Sequence, residues 1–268
     1  MLRESASVRP ASPLQSGCRH GHFIRESSKR EVKSDMRVAV VENTVVSHLG
    51  QVGVALEEAG AEVVLYRPYR GGDLPDVTRY DGLVVLGGEQ SALDDHIHPY
   101  LPALAARMRQ AAEEDKAVLG ICLGSQILAR AFGGTNLLGQ TREFGWHRVQ
   151  RTAEGEADPV LAALPAEFPI FEWHSDTFTL PEGAVRLAEN PAVQNQAFRI
   201  GRAAYGTQFH FEASRAVVSQ WSRDFGHLME AMSPGWMEQY PDHAANDGVH
   251  ADEAGLAIAR AWVAQIRR

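Results

Sequence analysis

The residue with the clearest chemical potential in this chain is a cysteine on a glycine-rich turn. Cys122 lies in the run Gly120-Ile121-Cys122-Leu123-Gly124, with an apolar stretch before it and a helical pattern after it. Glycines on both sides are typical of a turn so tight that neighbouring Cβ atoms would clash. Such a turn exposes the thiol at the end of a strand, and the following helix N-terminus favours its thiolate. The pattern predicts a catalytic nucleophile rather than a buried structural cysteine.

A base for this nucleophile is predicted 88 residues downstream, at His210. The segment 205–212 alternates like a strand, and side chains two apart in a strand share a face. His210 and Glu212 are therefore expected to point the same way. A carboxylate beside an imidazole orients it and favours its protonated form. Cys122, His210 and Glu212 are predicted to act as nucleophile, general acid/base and orienting residue.

Acyl chemistry at a thiol also requires donors for the developing oxyanion. One is predicted to be the backbone N–H of Leu123, the residue after the nucleophile. The second is predicted at Gly87-Gly88, because glycine lets the backbone approach a substrate closely. Two glycines after a strand also fit an ordinary tight turn, so this pair is weak evidence alone.

The elements that must position these residues form an alternating pattern of strands and helices. Periodicity predicts strands at 37–42, 62–66, 80–86 and 117–121, with helices at 49–59 and 100–113. This rhythm predicts an α/β fold with a doubly wound, mostly parallel sheet and helices on both faces. Shorter strands near 146–151, 168–172, 185–189, 196–200 and 203–209 predict a small antiparallel extension of that sheet, before helices at 213–226 and 251–266. Ligands bind such sheets beyond the C-terminal strand ends, where the glycine pair and the cysteine are expected.

Domain organisation follows from a change of composition at Met36. Residues 1–35 are rich in Ser, Arg and Pro and are predicted to be a disordered extension, with Met36 a candidate start. Residues 36–268 are predicted to form a single domain. Cys18, His20 and His22 lie in the extension, but without a fourth ligand they do not predict a metal site.

Composition excludes several classes of protein. With 268 residues and 44% hydrophobic content the chain can bury a full core, and a formal charge of −8 argues against nucleic-acid binding. No apolar run approaches the roughly 18 residues of a membrane span. Two cysteines are no disulfide framework, and a thiol nucleophile needs reducing conditions, so a cytoplasmic location is expected.

Together these features resemble the class I, triad-type glutamine amidotransferases, whose fold is flavodoxin-like. The residues that carry the resemblance are Gly87-Gly88-Glu89-Gln90-Ser91, the turn around Cys122, and Phe209-His210-Phe211-Glu212. Within that family the chain is most similar to a stand-alone branch that resembles the amidotransferase domain of GMP synthetase. Two further segments carry this finer resemblance: Glu143-Phe144-Gly145-Trp146 and Trp173-His174-Ser175-Asp176.

The resemblance implies hydrolysis of the glutamine side-chain amide. The cysteine would attack the amide, release ammonia and form a γ-glutamyl thioester that water hydrolyses. It also implies that Gln126 contacts the amino-acid end of the substrate. Gly87, Ser175 and Asp176 would line the same pocket, with Asp176 a candidate for the substrate ammonium. No cofactor and no metal are expected.

The use of the ammonia stays open at this point. The sequence has no Gly-x-x-x-x-Gly-Lys-Ser/Thr loop for ATP, so one hypothesis is transfer of ammonia to a separate ATP-using synthetase subunit. A second is a free-standing γ-glutamyl peptidase or hydrolase. A third is a non-catalytic binding or regulatory module, which an intact triad disfavours.

Three other features are predicted to be structural. Residues 94–98, which include two aspartates and two histidines, are interpreted as a loop before a helix rather than a metal site. Trp146, Trp173 and Trp221 are predicted to be core or pocket-wall residues. Asn246-Asp247-Gly248, in a loop between His243 and His250, are predicted to form a turn before the last helix.

Overall fold

The computed structural model describes residues 36–267. The predicted N-terminal extension and its Cys18, His20 and His22 lie outside the described residues. The strands are β1 (Arg37–Val41), β2 (Glu62–Tyr66), β3 (Gly82–Val85), β4 (Ala117–Ile121), β5 (Asn136–Leu137), β6 (Glu143–Arg151), β7 (Glu167–His174), β8 (Thr177–Phe178), β9 (Val185–Glu189), β10 (Ala197–Ile200) and β11 (Ala204–Thr207). The helices are α1 (Gly50–Glu58), α2 (Leu101–Glu113), α3 (Leu123–Ala131), α4 (Ala153–Ala157), α5 (Arg215–Met232), α6 (Trp236–Ala245) and α7 (Asp247–Val263).

Nine of these strands form one sheet in the order β2-β1-β3-β4-β11-β10-β9-β6-β7. The pairs among β2, β1, β3, β4 and β11 are parallel, whereas β10, β9, β6 and β7 continue the sheet with antiparallel pairs. The predicted fold class, a parallel α/β sheet with an antiparallel extension, is confirmed. Strand β11, the last strand in the sequence, lies between β4 and β10 in the centre of the sheet.

The two faces of the sheet carry separate hydrophobic cores because side chains alternate along each strand. In β1, Val38 and Val40 pack in the core that α1 and α7 cover, whereas Ala39 and Val41 pack in the core that α2 and α3 cover. From the helices, Trp262 of α7 belongs to the first core and has no exposed surface. These layers hold the C-terminal ends of the parallel strands in fixed positions.

An aromatic cluster ties the antiparallel extension to α5 and α6. Phe144 lies 4.8 Å from Trp236 and 5.7 Å from Phe171 between ring centroids, and Phe171 lies 6.1 Å from Trp221. The two Phe144 pairs are edge-to-face, and such pairs at these separations are favourable beyond the area they bury. The cluster therefore fixes α5 above the sheet on the side of β6 and β7.

The turn predicted at Asn246-Asp247-Gly248 is shorter than expected, because Asn246 alone separates two helices and Asp247 and Gly248 already belong to the second. Helix α6 runs to Ala245, and α7 begins at Asp247 after a single linking residue with φ of −102° and ψ of −90°. Pro241 inside α6 argues against a helix in the sequence. Packing of Trp236 in the aromatic cluster outweighs that local penalty. Among the helices of residues 36–267, none combines the length and apolar character needed to cross a bilayer.

Candidate active site

Three neighbouring strand ends bring the predicted site residues together. In the register of β3, β4 and β11, Val85 lies opposite Gly120 and Ile121 lies opposite Thr207. The backbone N–H of Cys122 continues this pattern by donating to the carbonyl oxygen of Thr207 at 2.8 Å. The glycine pair, the cysteine and the histidine therefore follow adjacent parallel strands, at the edge where such sheets bind ligands.

Cys122 occupies a strained backbone conformation between β4 and α3. Its φ is +50° and its ψ is −108°, and it is one of two non-glycine residues of the described chain with positive φ. The Cys122 carbonyl oxygen accepts from the N–H groups of Ser125 at 3.0 Å and Gln126 at 3.1 Å. It also accepts from the Ser125 hydroxyl at 2.7 Å. These bonds begin α3 immediately after the thiol and hold the strained turn in place.

The two flanking glycines are required by close backbone packing. A Cβ at Gly124 would lie within 3.0 Å of the Val85 carbonyl group, and one at Gly120 would lie within 3.0 Å of the Gly124 carbonyl group. Each neighbour is backbone, which cannot move aside as a side chain can. The steric reason for the glycine pattern is thus present at both positions.

Gly124→Ala is expected to lower the free energy of unfolding by at least about 3 kcal/mol, because the new Cβ meets the backbone of β3. Urea denaturation followed by circular dichroism measures this change. Gly226→Ala in α5 is the matched control, since its Cβ would make only an ordinary 3.5 Å contact with the sulfur of Met237. An unfolding free energy for Gly124→Ala within about 1 kcal/mol of the control would contradict the steric account.

His210 and Glu212 form a hydrogen-bonded pair, but not by the route predicted. Strand β11 ends at Thr207, so both residues lie in the loop that follows and the expected strand alternation is wrong. The His210 N–H donates to the Phe171 carbonyl oxygen at 2.8 Å, which anchors the loop to β7. His210 Nδ1 and Glu212 Oε1 are 2.7 Å apart, and both residues are buried. The turn between them, rather than a shared strand face, brings the carboxylate to the ring.

The imidazole of His210 lies in an environment that favours its charged form. Burial lowers the pKa of His210, but the Glu212 carboxylate and the Cys122 thiolate outweigh it and raise this pKa well above its usual range. Its ring packs edge-on against Trp221 at 5.6 Å. Because Nδ1 is bonded to Glu212, Nε2 is the nitrogen left for chemistry at the thiol.

Gly87, Gly88 and Leu123 line the same cleft as Cys122. A Cβ at Gly87 would lie 3.0 Å from His210 Cε1, close enough to press on the ring, and 3.6 Å from Cys122 Cβ, which is an ordinary contact. A Cβ at Gly88 would come within 2.9 Å of the Leu123 side chain. Leu123 is the first residue of α3, where a backbone N–H has no partner inside the helix.

A cleft of about 420 Å³ opens above these residues. Its lining includes the predicted residues Gly87, Gly88, Cys122, Leu123, Gln126, Ser175, Asp176, His210 and Glu212. Gln126 is buried, with its Nε2 at 3.4 Å from both the Asp176 carbonyl oxygen and Gln208 Oε1. Asp176 Oδ1 accepts from the Gly139 N–H at 2.8 Å, and Ser175 is exposed at the rim. The predicted site residues therefore share one cleft.

A buried ionic cluster beneath the cleft was not predicted. His174 Nε2 lies 3.1 Å from Glu143 Oε2 and 3.3 Å from Glu172 Oε2, and all three side chains are at most 2% exposed. The other ring nitrogen lies 3.0 Å from the Asp176 carbonyl oxygen. Cross-strand pairing of Glu143 with His174 between β6 and β7 creates this contact. Glu143 and His174 belong to the two segments that resemble the GMP synthetase branch, but no pattern in the sequence predicts that they contact each other.

Charge decides what this cluster can do. Burial lowers the pKa of His174, but Glu143 and Glu172 outweigh it and raise this pKa to about 10. Burial raises the pKa of Glu172, whereas hydrogen bonds from His174 and Asn190 overcome burial and lower that of Glu143. Donor atoms of Glu143, Glu172 and His174 lie within 4.8 Å of one another, as in a metal site. A protonated imidazole between two carboxyl groups is instead an internal ion pair, which holds the Asp176 backbone at the cleft.

The sequence of this chain was compared with models of known protein families. The family model described as glutamine amidotransferase class-I matches residues 40–225, which is more than half of the chain. The chain belongs to the class I glutamine amidotransferase family.

Relatives of this amidotransferase-family chain include both short and long proteins. It is 31% identical to the glutamine amidotransferase-like protein YfeJ of Salmonella typhimurium, over 68% of this chain and 78% of that protein. It is 33% identical to the glutamine-hydrolysing GMP synthase of Thermosipho melanesiensis over 57% of this chain, but spans only 28% of that synthase. A solved glutamine amidotransferase from Methylobacillus flagellatus superposes with a TM-score of 0.78 at 26% identity, covering 87% of this chain and 96% of the other.

Two parts of the amidotransferase cleft escaped the sequence analysis. Gln208 Nε2 lies 3.7 Å from Cys122 Sγ. The position of Gln208 two residues before His210 could have indicated that it lies at the site. The C-terminal half of α5 supplies Phe225, Leu228 and Met232 to the cleft, although the predicted helix ended at 226. Of the tryptophans, Trp173 and Trp221 line the cleft, whereas Trp146 packs against the aromatic cluster.

Proposed function

We propose that this protein hydrolyses the side-chain amide of glutamine through a γ-glutamyl thioester on Cys122, releasing ammonia and glutamate. The observation that carries the proposal is the juxtaposition of a thiol on a strained turn with the bonded His210–Glu212 pair, in one cleft. Membership of the glutamine amidotransferase family supports the choice of glutamine as substrate. The fold alone would not, since one fold serves many chemistries.

The reaction proceeds in two halves on the same groups. The Cys122 thiolate attacks the amide carbon, and the N–H groups of Gly88 and Leu123 stabilise the developing oxyanion. His210 Nε2 gives its proton to the leaving nitrogen, the C–N bond breaks, and ammonia departs from the thioester. Water then gives a proton to His210 and attacks the thioester, so that glutamate and the thiol are released. Glu212 keeps the ring oriented throughout.

The amino-acid end of the substrate is proposed to bind beside Gln126 and the 175–176 segment. The Asp176 carboxylate is assigned to the substrate ammonium, Gln126 and Ser175 to polar contacts, and Gly87 to the close approach of the substrate chain. The buried His174 cluster supports this assignment because it fixes the backbone of Asp176. No cofactor is needed for this chemistry.

The ammonia is proposed to pass to a separate ATP-using synthetase subunit. The match to one part of a GMP synthase supports this destination, since this chain spans only 28% of that synthase.

 The rest of that synthase lies outside the matched region, so the activity of the whole synthase is not attributed to this chain. A cytoplasmic location is proposed with it, because the thiol must stay reduced. The second candidate function is a free-standing γ-glutamyl hydrolase, which the apolar side chains of Phe225, Leu228 and Met232 in the cleft lining favour.

One experiment tests the proposed function and separates the two candidates. Purified protein is supplied with glutamine or with a γ-glutamyl dipeptide, and ammonia and glutamate are measured with and without a synthetase subunit. Glutaminase activity that is low alone and rises with the subunit supports ammonia transfer. Turnover of the dipeptide without partner or ATP supports the free-standing hydrolase. Release of neither product under any condition would overturn the proposal.

Glu212→Gln is expected to lower kcat/KM for glutamine by about 10²- to 10⁴-fold, because the ring loses its orienting carboxylate. The variant also removes a charge that raises the pKa of His210, so this pKa falls. The alkaline limb of the pH–rate profile reports loss of the imidazolium and should move to lower pH. Glu89→Gln, an exposed change on the same cleft rim, is the control for a charge effect without contact to His210. An unmoved alkaline limb in Glu212→Gln would contradict this role.

A further inference from the structure

Apolar side chains from helix α5 and from the loop after β1 line one side of the cleft. We call Val46, Trp221, Phe225 and Leu228 the apolar stripe. Trp221, Phe225 and Leu228 all line the cleft, with Trp221 before and Leu228 after a break in α5 at Phe225, where φ is −129° and ψ is 24°. Val46 faces the same space, and its carbonyl oxygen accepts from Trp221 Nε1 at 3.2 Å. Leu228 lies beyond residue 225, where the family match ends, and 42% of its surface is exposed.

The stripe begins on the side of the thiol from which a leaving group departs. His210 must give a proton to the leaving nitrogen, so that nitrogen lies beside the His210 ring. Trp221 packs edge-on against this ring at 5.6 Å. A substituent on the leaving nitrogen would therefore extend from His210 onto Trp221 and the rest of the stripe.

Glutamine itself does not use this surface. The leaving nitrogen of glutamine carries only hydrogen atoms, so the apolar stripe would stay in contact with water when glutamine is bound. Polar groups that fit an amino acid, such as Gln126 and Asp176, also line the cleft. A pocket lined by apolar groups with a few polar ones is the usual form of a site for a larger ligand.

We infer that, besides glutamine, the cleft accepts γ-glutamyl amides of apolar amines, whose alkyl or aromatic group lies on the stripe formed by Val46, Trp221, Phe225 and Leu228. This inference rests on the proposed thioester chemistry and names its leaving group. The Cys122–carbon bond forms, the amide C–N bond breaks, and the amine leaves with the proton from His210. Water then converts the thioester to glutamate and thiol.

Two synthetic amides of similar leaving-group basicity test the inference with the purified full chain. γ-Glutamyl-ethylamide and γ-glutamyl-isopentylamide differ in apolar length, and glutamate release is measured for both and for glutamine. The isopentylamide is expected to have a kcat/KM at least about tenfold above that of the ethylamide, since buried methylene groups contribute on this scale. Leu228→Gln is expected to lower this ratio by roughly threefold or more.

Leu65→Gln is the matched control, because Leu65 is 44% exposed on β2, outside the cleft lining, and should leave the ratio unchanged. A ratio near one in the unmodified protein, with glutamine still hydrolysed, would overturn the inference and leave the proposed function standing. Absence of glutamate release from all three substrates would overturn the proposed function itself. An equal fall of the ratio in both variants would also overturn the assignment of the stripe.

Discussion

Cys122→Ala is expected to lower glutaminase activity by about 10⁴- to 10⁶-fold, the range seen when a nucleophile is removed from a catalytic triad. Alanine retains a Cβ, so the backbone at φ of +50° meets no new steric conflict. The residual rate comes from the oxyanion donors and from substrate binding, neither of which needs the thiol. Ammonia release measured over several hours gives the range required.

Folding of the Cys122→Ala variant must be shown independently of activity. Circular dichroism and the thermal midpoint are expected to be close to those of the unmodified protein, because the contacts of the thiol with Gln208 and Trp173 are long, at 3.7 Å and 3.9 Å. A covalent γ-glutamyl adduct, visible by mass spectrometry after acid quenching, should disappear in the variant. Activity within tenfold of the unmodified protein would eliminate Cys122 as nucleophile.

His210→Ala is expected to cause a comparable loss of activity, about 10⁴-fold or more, because both proton transfers depend on this ring. The raised pKa of His210 keeps the imidazolium populated near neutral pH, where it pairs with the thiolate. Its removal should therefore also slow alkylation of Cys122 by iodoacetamide. The alkylation rate is a second measurement, independent of turnover.

The matched control for His210→Ala is His250→Ala, whose side chain is 66% exposed at the start of α7. This control is expected to retain both turnover and alkylation rate. His210→Ala leaves Glu212 buried without its partner, so some loss of stability is expected and is measured by thermal unfolding. A folded His210→Ala protein with normal alkylation and turnover would contradict the proposed acid/base role.

Much of the fold could be predicted because the parallel strands are short, buried apolar runs. Strands β2 and β4 lie where periodicity places them, at 62–66 and 117–121. Strand β6 begins at Glu143, three residues before its predicted start, because Glu143 is a buried charged residue that hydropathy does not assign to a sheet. Tertiary contacts with His174 decide that boundary.

The sequence indicates which residues belong to the candidate site better than it indicates how they contact one another. The glycines beside Cys122 predict a tight turn, because the close backbone contacts that require glycine there arise within or next to the turn itself. The pairing of His210 with Glu212 depends on a loop that β7 anchors, and no local pattern encodes a contact with Phe171. For the same reason the sequence does not disclose that α5 crosses the cleft, since its position depends on the aromatic cluster with α6.

The insertion of β11 between β4 and β10 has a consequence for how the chain folds. Contact between Cys122 and Gln208 closes a loop of 86 residues, so it forms only after a large loss of chain entropy. Pairings of such long sequence separation slow folding and tend to complete late. During synthesis the ribosome supplies Cys122 before it supplies His210. Hydrolytic competence should appear only with the last central strand, which makes enzymatic activity a kinetic reporter of sheet completion.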